Sequence, residues 1–339
     1  RRGGVGAAGD AGTGKPRVRM LRVAAPAPRL EKMQPTAAPR GATTRVTLTG
    51  TELGHVTKIT TNHLGVSAAV KVVDATKVEA DLIVKADAAP GLVQLTLENA
   101  VGRSTPLSIV IDRFAAIPET GTTDSARAAQ IVKLPVTIVG AVDRAGDVDF
   151  FRFEAAAGAE IGVHVLATEI GSKLDPILIL TDADGHILTE GLTTLGYRVP
   201  KAGTFAIGIR DRDYRGAADM TYRLSVGDVP VITGLFPLGV MRGRTADIHL
   251  EGVNLGPDRT AKLSMPASMV PGTFESLKFP NRAERPLGNV NVVAGEFPSV
   301  TVGPANGAEL RGPGTADGIL LKPNDAQPIR FTAKKGERL

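Results

Sequence analysis

Along this chain, apolar and polar positions follow each other in short runs that suit extended backbone. "RVTLTG" (45–50), "VQLTLEN" (93–99), "LSIVID" (107–112), "FFRFEA" (150–155), "IGVHVLA" (161–167), "ILILTD" (177–182), "TFAIGI" (204–209), "YRLSVG" (222–227) and "ADIHLEG" (246–252) each read as a strand. Turn residues separate the runs at intervals of about 8–12 residues, the spacing of all-β sandwiches. Helical periodicity is scarce, and its best candidate, "DSARAAQIV" (124–132), is short. The pattern predicts an all-β protein of tandem β-sandwich domains.

An internal repeat sharpens the organisation. "PTAAPRGATTRVTLTGTELG" (35–54) aligns without a gap on "PLGVMRGRTADIHLEGVNLG" (237–256). Pro35, Arg40, Gly41, Leu48, Gly50, Leu53 and Gly54 match Pro237, Arg242, Gly243, Leu250, Gly252, Leu255 and Gly256. Glycine and proline dominate the identities, so the shared property is backbone geometry: left-handed or bulged positions around one strand. A weaker echo joins "RFEAAAGAE" (152–160) to "RFTAKKGER" (330–338). The order is therefore A–B–A′–B′, with B′ cut short after its first strand. A sandwich cannot close on one strand, so the chain reads as part of a longer protein.

Composition changes this picture only at the edges. The 339 residues suit about two to three domains. Residues 1–27 hold clustered glycines, two prolines and many of the arginines, and read as a flexible leader. The net charge of +5 is mild, and the basic leader lacks aromatics for base stacking, which argues against nucleic acid. No cysteine means no disulfide, thiolate metal site or Cys nucleophile. No stretch reaches the roughly 20 apolar residues of a membrane span. Within the leader, "GVGAAG" (4–9) and "GDAGTGKP" (9–16) imitate phosphate-binding loops. Pro16 stands where a P-loop needs Ser or Thr, and no strand precedes Gly4.

The A segments resemble IPT/TIG domains, immunoglobulin-like sandwiches with a P…P…G opening. The likeness covers 29–112, including "TKVEADLIVKADAAPGLVQLTLENAVGRS" (76–104), and the opening recurs at 229–303. Segment B resembles a bacterial pre-peptidase C-terminal (PPC) domain, a jelly-roll-like sandwich, through "GDVDFFRFEAAAGAEIGVHV", "GSKLDPILILTDADGHIL" and "AGTFAIGIRDRDYRGAADMTYRLSV". The resemblances imply an IPT/TIG-like domain at 28–113, a PPC-like domain at 114–228, a second, divergent IPT/TIG-like domain at 229–316 and a truncated PPC-like start at 317–339. They also imply a secreted, cell-surface or periplasmic bacterial protein, as in planctomycete-type surface proteins.

Candidate chemistry is sparse. Asp147 and Asp149, with Asp143 one turn earlier, open the strand at 150. They read either as turn caps, with Val148, Phe150 and Phe153 packing inward, or as hard oxygen ligands for calcium, which some PPC-like relatives bind. "DADG" (182–185) reads as a hairpin turn with Gly185 left-handed. "RDRDYRG" (210–216) gathers Arg210, Arg212, Tyr214 and Arg215, either as a solvated loop or as a partner contact. The five histidines show no metal or catalytic spacing, and no G-x-S-x-G occurs. No cofactor is implied, with calcium left open. The resulting expectation is a non-catalytic structural or adhesion protein. It would contact a protein, a cell-envelope polysaccharide or further copies of itself, without nucleic acid. The alternatives are an accessory region of a larger secreted hydrolase or peptidase, and a calcium-dependent ligand-binding module.

Overall fold

The computed structural model describes residues 26–121, 124–280, 284–302, 308–320, 322 and 324–336. The leader and both loop imitations therefore lie almost wholly outside the described residues. Strands dominate, and among the described residues there is no α-helix, only two 3₁₀ turns at Leu53–His55 and Thr168–Ile170. The helical candidate 124–132 is instead a turn running into the strand Gln130–Ile131. There Gln130 is spent on its neighbours, its side chain accepting from the Thr120 amide and donating to the Pro118 carbonyl. No described helix is long and apolar enough to cross a membrane.

The first sandwich packs two four-stranded sheets. One orders Arg29–Gln34, Thr43–Thr51, Lys77–Val84 and Val66–Val72; the other orders Ala37–Pro39, Leu107–Asp112, Gly91–Glu98 and Lys58–Thr61. Its core is wholly aliphatic, from Leu30 and Leu48 to Leu97 and Ile111. The middle sandwich packs two five-stranded sheets. One orders Gln130–Ile131, Val148–Ala155, Gly203–Asp211, Pro176–Asp182 and Ile187–Gly191. The other orders Thr194–Arg198, Glu160–Leu166, Thr221–Gly227, Val136–Ala141 and Ala116–Pro118. Its core adds the aromatics Phe151, Phe153, Phe205 and Tyr222 to the aliphatic set. The third sandwich sets Thr260–Ser264, Thr245–Val253, Val231–Phe236 and Leu287–Gly288 against Gly239–Met241, Asn291–Gly295 and Phe274–Ser276.

The repeat is a repeat of backbone. Gly41 and Gly243 are both left-handed (φ 71° and 75°). Both copies bulge at equivalent places, between Leu30 and Lys32 opposite Gly50 and between Ile232 and Gly234 opposite Gly252. A Cβ on Gly50 would fall 1.9 Å from the Arg29 carbonyl oxygen, and one on Gly252 2.1 Å from that of Val231, so the bulged partner strand requires glycine.

Beyond Gly295, Ser299–Val302 pairs with Thr315–Gly318 and Ala308–Leu310 pairs with Ile329–Phe331, both parallel. A boundary between 316 and 317 falls within the first of these pairs.

Candidate functional site

Three places gather polar groups. The first is the junction of the sandwiches. Asp112, at the end of the first sandwich, is buried and accepts from Arg223 of the middle one (Nε to Oδ1, 2.8 Å). Burial raises the Asp112 carboxyl against the opposing pull of Arg223. Next to it the buried Arg113 donates to both oxygens of Glu284 in the third sandwich (Nη1 to Oε2, 2.6 Å), and Arg40 lies 3.6 Å from the same carboxylate. Asp112, Arg113, Arg223 and Glu284 border a cavity of about 320 Å³ that also takes in His164, Ser225 and Arg285. Burial, and secondarily Arg113, pushes the His164 imidazole down to about 4.

Where the third sandwich meets the middle one, Asn254 donates through Nδ2 to the Val229 carbonyl (2.9 Å) and through its amide to Glu160. Arg259 and Arg198 close on the same Glu160. Val229, Val231 and Val253 form a small apolar cluster there with Phe114 and Leu287.

The second place is an acidic concavity of about 490 Å³ in the middle sandwich, bordered by Glu119, Asp124, Asp143, Asp147 and Asp149. All three calcium candidates thus meet one hollow. The strand Val148–Ala155, however, buries Asp149, Phe151 and Phe153 and leaves Val148 and Phe150 half-buried. That phase corrects the expectation that Val148 and Phe150 pack inward. It follows from Phe151 and Phe153 filling the core while Asp149 finds a buried partner in the Tyr222 hydroxyl, which donates to it at 2.9 Å. Burial and the neighbouring Glu119 push the Asp149 carboxyl up to about 8.

Asp147 does cap its turn, accepting from the Asp143 amide at 3.0 Å. Its Oδ1 is buried without a hydrogen bond and faces Arg144 Nη2 at 3.3 Å. Arg144 also reaches Asp124 and Asp143, so a guanidinium now neutralises the rim. The carboxylates of Glu119, Asp124, Asp143 and Asp147 around one hollow, with Asp147 Oδ1 buried and without a hydrogen bond, are hard oxygen donors of the kind calcium takes.

The third place is the 210–216 loop. Asp211 is fully buried and organises it, accepting from the amides of Asp175 (3.1 Å), Asp213 (3.0 Å) and Arg215 (3.2 Å) and from Arg215 Nε (2.9 Å) and Nη2 (2.8 Å). The Arg215 guanidinium, first among these donors, holds the Asp211 carboxyl far below the ordinary carboxylate range. Arg215 is therefore committed inward and Arg212 pairs with Asp175 (2.9 Å). Arg210 lies 4.3 Å from the Tyr214 ring centre, and that exposed ring sits on a left-handed residue (φ 55°).

"DADG" is a hairpin turn as expected, with Gly185 at φ 91°. The grouping of Asp182, Asp184 and His186 there is a capped turn, since Asp182 accepts from the Asp184 and His186 amides at 2.9 Å.

Sequence reasoning missed the junction residues Asp112, Arg113, Glu160, Arg223, Asn254, Arg259 and Glu284. One signal was available: Asn254 stands in the repeat where Glu52 stands, on a left-handed residue in both copies.

No family model and no curated protein sequence matches the chain. Among solved structures, it is similar to the pre-peptidase C-terminal domain of collagenase from Bacillus anthracis (21% identity, TM-score 0.25, covering 29% of this chain and 93% of that one). It is also similar to PliG, a periplasmic inhibitor of g-type lysozyme from Aeromonas hydrophila (14%, TM-score 0.21, 34% and 96%). A third likeness is to the SGBP-B protein of a Bacteroides ovatus mixed-linkage glucan utilization locus (9%, TM-score 0.19, 56% and 70%). At such scores these likenesses carry no argument about what this chain does.

Proposed function

We infer that this chain is a non-catalytic, extracellular interaction protein whose sandwiches form one stiff array for adhesion, surface assembly or polysaccharide contact. The observation that carries this reading is the bracing of the joints. Asp112–Arg223, Arg113–Glu284 and the Asn254–Arg259–Glu160 group tie each sandwich to a neighbour through buried or half-buried partners. Removing one partner of such a pair by substitution strands the other as a buried charge, at a cost of roughly 3–5 kcal/mol, so each pair specifies how its two sandwiches meet. A scaffold that must present surfaces at fixed spacing needs this stiffness.

The test is binding of the purified chain to bacterial envelope and soluble β-glucans, with light scattering for self-assembly. Binding or oligomers that weaken in Tyr214→Ala support the reading; a strict monomer that binds neither overturns it. A protease or glycosidase signature in the flanking coding sequence would replace it with the accessory-region alternative.

A second reading, calcium dependence, is favoured by Asp147 Oδ1, which is buried without a hydrogen bond and has only the Arg144 ion pair. Here Glu119, Asp124, Asp143 and Asp147 would hold the ion, joined by Asp149 on loss of its proton, and the ion would supply the charge that Arg144 now provides. A rise in melting temperature with millimolar calcium, lost in Asp147→Asn, is expected; no shift removes this reading.

A further inference from the structure

The strands from Ser299 onward reproduce the opening of the middle sandwich. In that sandwich Gln130 pairs with Phe151 and Ile131 with Arg152, in parallel. In the later segment Ala308 pairs with Ile329 and Glu309 with Arg330, also in parallel and at the same register. A second pair repeats: Ala116–Pro118 beside Thr137–Val139, then Ser299–Thr301 beside Thr315–Asp317. The same alignment superimposes Pro135, Gly140, Asp147, Arg152, Phe153 and Gly158 on Pro313, Gly318, Asp325, Arg330, Phe331 and Gly336. Strand order, pairing sense and marker residues agree, at one offset of 178 residues for all but the first strand, which stands five residues closer to its successor in the later segment; agreement at several levels is what a shared fold produces.

The two units differ in what covers them. In the middle sandwich, Val148–Ala155 is flanked antiparallel by Gly203–Asp211, and Val136–Ala141 by Thr221–Gly227. Among the described residues, Ile329–Phe331 and Thr315–Gly318 each have only their one parallel partner. Phe153 is 2% exposed and Phe331 55%; Val142 is wholly buried and Leu320 63% exposed. The later segment thus holds core residues with no core around them.

We propose that residues 299–331 are the first four strands of a second sandwich of the middle kind, and that their open sides accept a β-segment patterned like residues 162–228. The incoming strands run antiparallel to Ile329–Phe331 and to Thr315–Gly318. They carry apolar residues at alternate positions, as Phe205, Ile207 and Ile209 do in the middle sandwich. Main-chain hydrogen bonds to the open edges supply part of the binding, and burial of Leu320, Ile329 and Phe331 supplies the rest.

The test appends residues 162–228 of this chain after Leu339, which keeps the spacing of the middle sandwich, and follows trypsin cleavage and amide exchange. The expected result is protection of the appended segment and slowing of the 329–331 amides by on the order of 10-fold or more. Phe331→Asp in the same fusion should abolish both while leaving the middle sandwich's melting unchanged. If the appended segment is cleaved as fast as when it is joined directly after Glu296, the proposal is wrong. Protection that persists in that shorter fusion would equally overturn it.

Discussion

In the first sandwich the left-handed Glu52 and its neighbour Thr51 face solvent; in the third, the equivalent Asn254 and Val253 lie against the middle sandwich. The backbone leading to them is the same, down to the bulge and the glycine opposite it, and it diverges just after them, where the first copy enters the Leu53–His55 3₁₀ turn and the third has a left-handed Gly256. One motif therefore serves as a free end in one copy and as a joint in the other. Two side chains make the change: an apolar one that buries, and an amide that suits a left-handed position and reaches a carbonyl. The docking contacts of the third copy sit on a strand-and-bulge frame that both copies share.

The harshest way to probe the shared frame is to empty its core. Leu48→Ala and Leu250→Ala, both at fully buried positions, should each cost about 2–5 kcal/mol by urea unfolding. A much smaller loss in the third copy would show its frame to be looser. Next come the glycines: Gly50→Ala and Gly252→Ala force a Cβ onto a partner carbonyl, and each should cost at least ~1–3 kcal/mol.

The copies should then part company. Asn254→Ala strands the Val229 carbonyl and should cost roughly 1–3 kcal/mol, uncoupling the third sandwich from the middle one in calorimetry. Glu52→Ala should leave every joint intact.

The pH dependence sharpens the same contrast, measured in EDTA. Asp149, with its carboxyl at about 8 in the folded chain, holds a proton there that the unfolded chain has released. Its contribution is complete below about 4 and is lost as pH rises towards 8. His164, at about 4 when folded, acts in the opposite sense, its contribution growing as pH rises from 4 to about 6.5. Between pH 6.5 and 8 only the Asp149 effect remains, so the urea midpoint of the middle sandwich should fall there. The docked third sandwich should follow it, and Asp149→Asn should flatten the curve. The smallest effect is a gain: Glu52→Asn relieves a left-handed glutamate and should stabilise the first sandwich by roughly 0.5–1 kcal/mol.

Much of this frame was legible in the sequence. The alternation in "RVTLTG" and "YRLSVG" marked strands because burying one face of a sheet imposes a period of two. The glycines of the repeat marked its bulges because no other residue fits so close to a carbonyl. The phase of "DVDFFRFEA" was not legible, because its apolar residues sit on both faces and the sequence cannot say which face meets the core. Nor was Asp211 separable from its neighbours in "RDRDYRG", since burial of one carboxylate depends on the amides of Asp175, Asp213 and Arg215 converging on it.

What the sequence alone determined is local and periodic: the strands, the turns, the duplicated backbone of 35–54 and 237–256, and the all-β class. These follow from forces acting between residues near one another in the chain or on one face of a strand. What only the tertiary structure decided is which polar groups meet. Asp112 finds Arg223, Arg113 finds Glu284, and Asp149 finds Tyr222 across separations that no periodicity encodes. A buried charge is stable only beside its partner, and that partner is chosen by how the sandwiches pack.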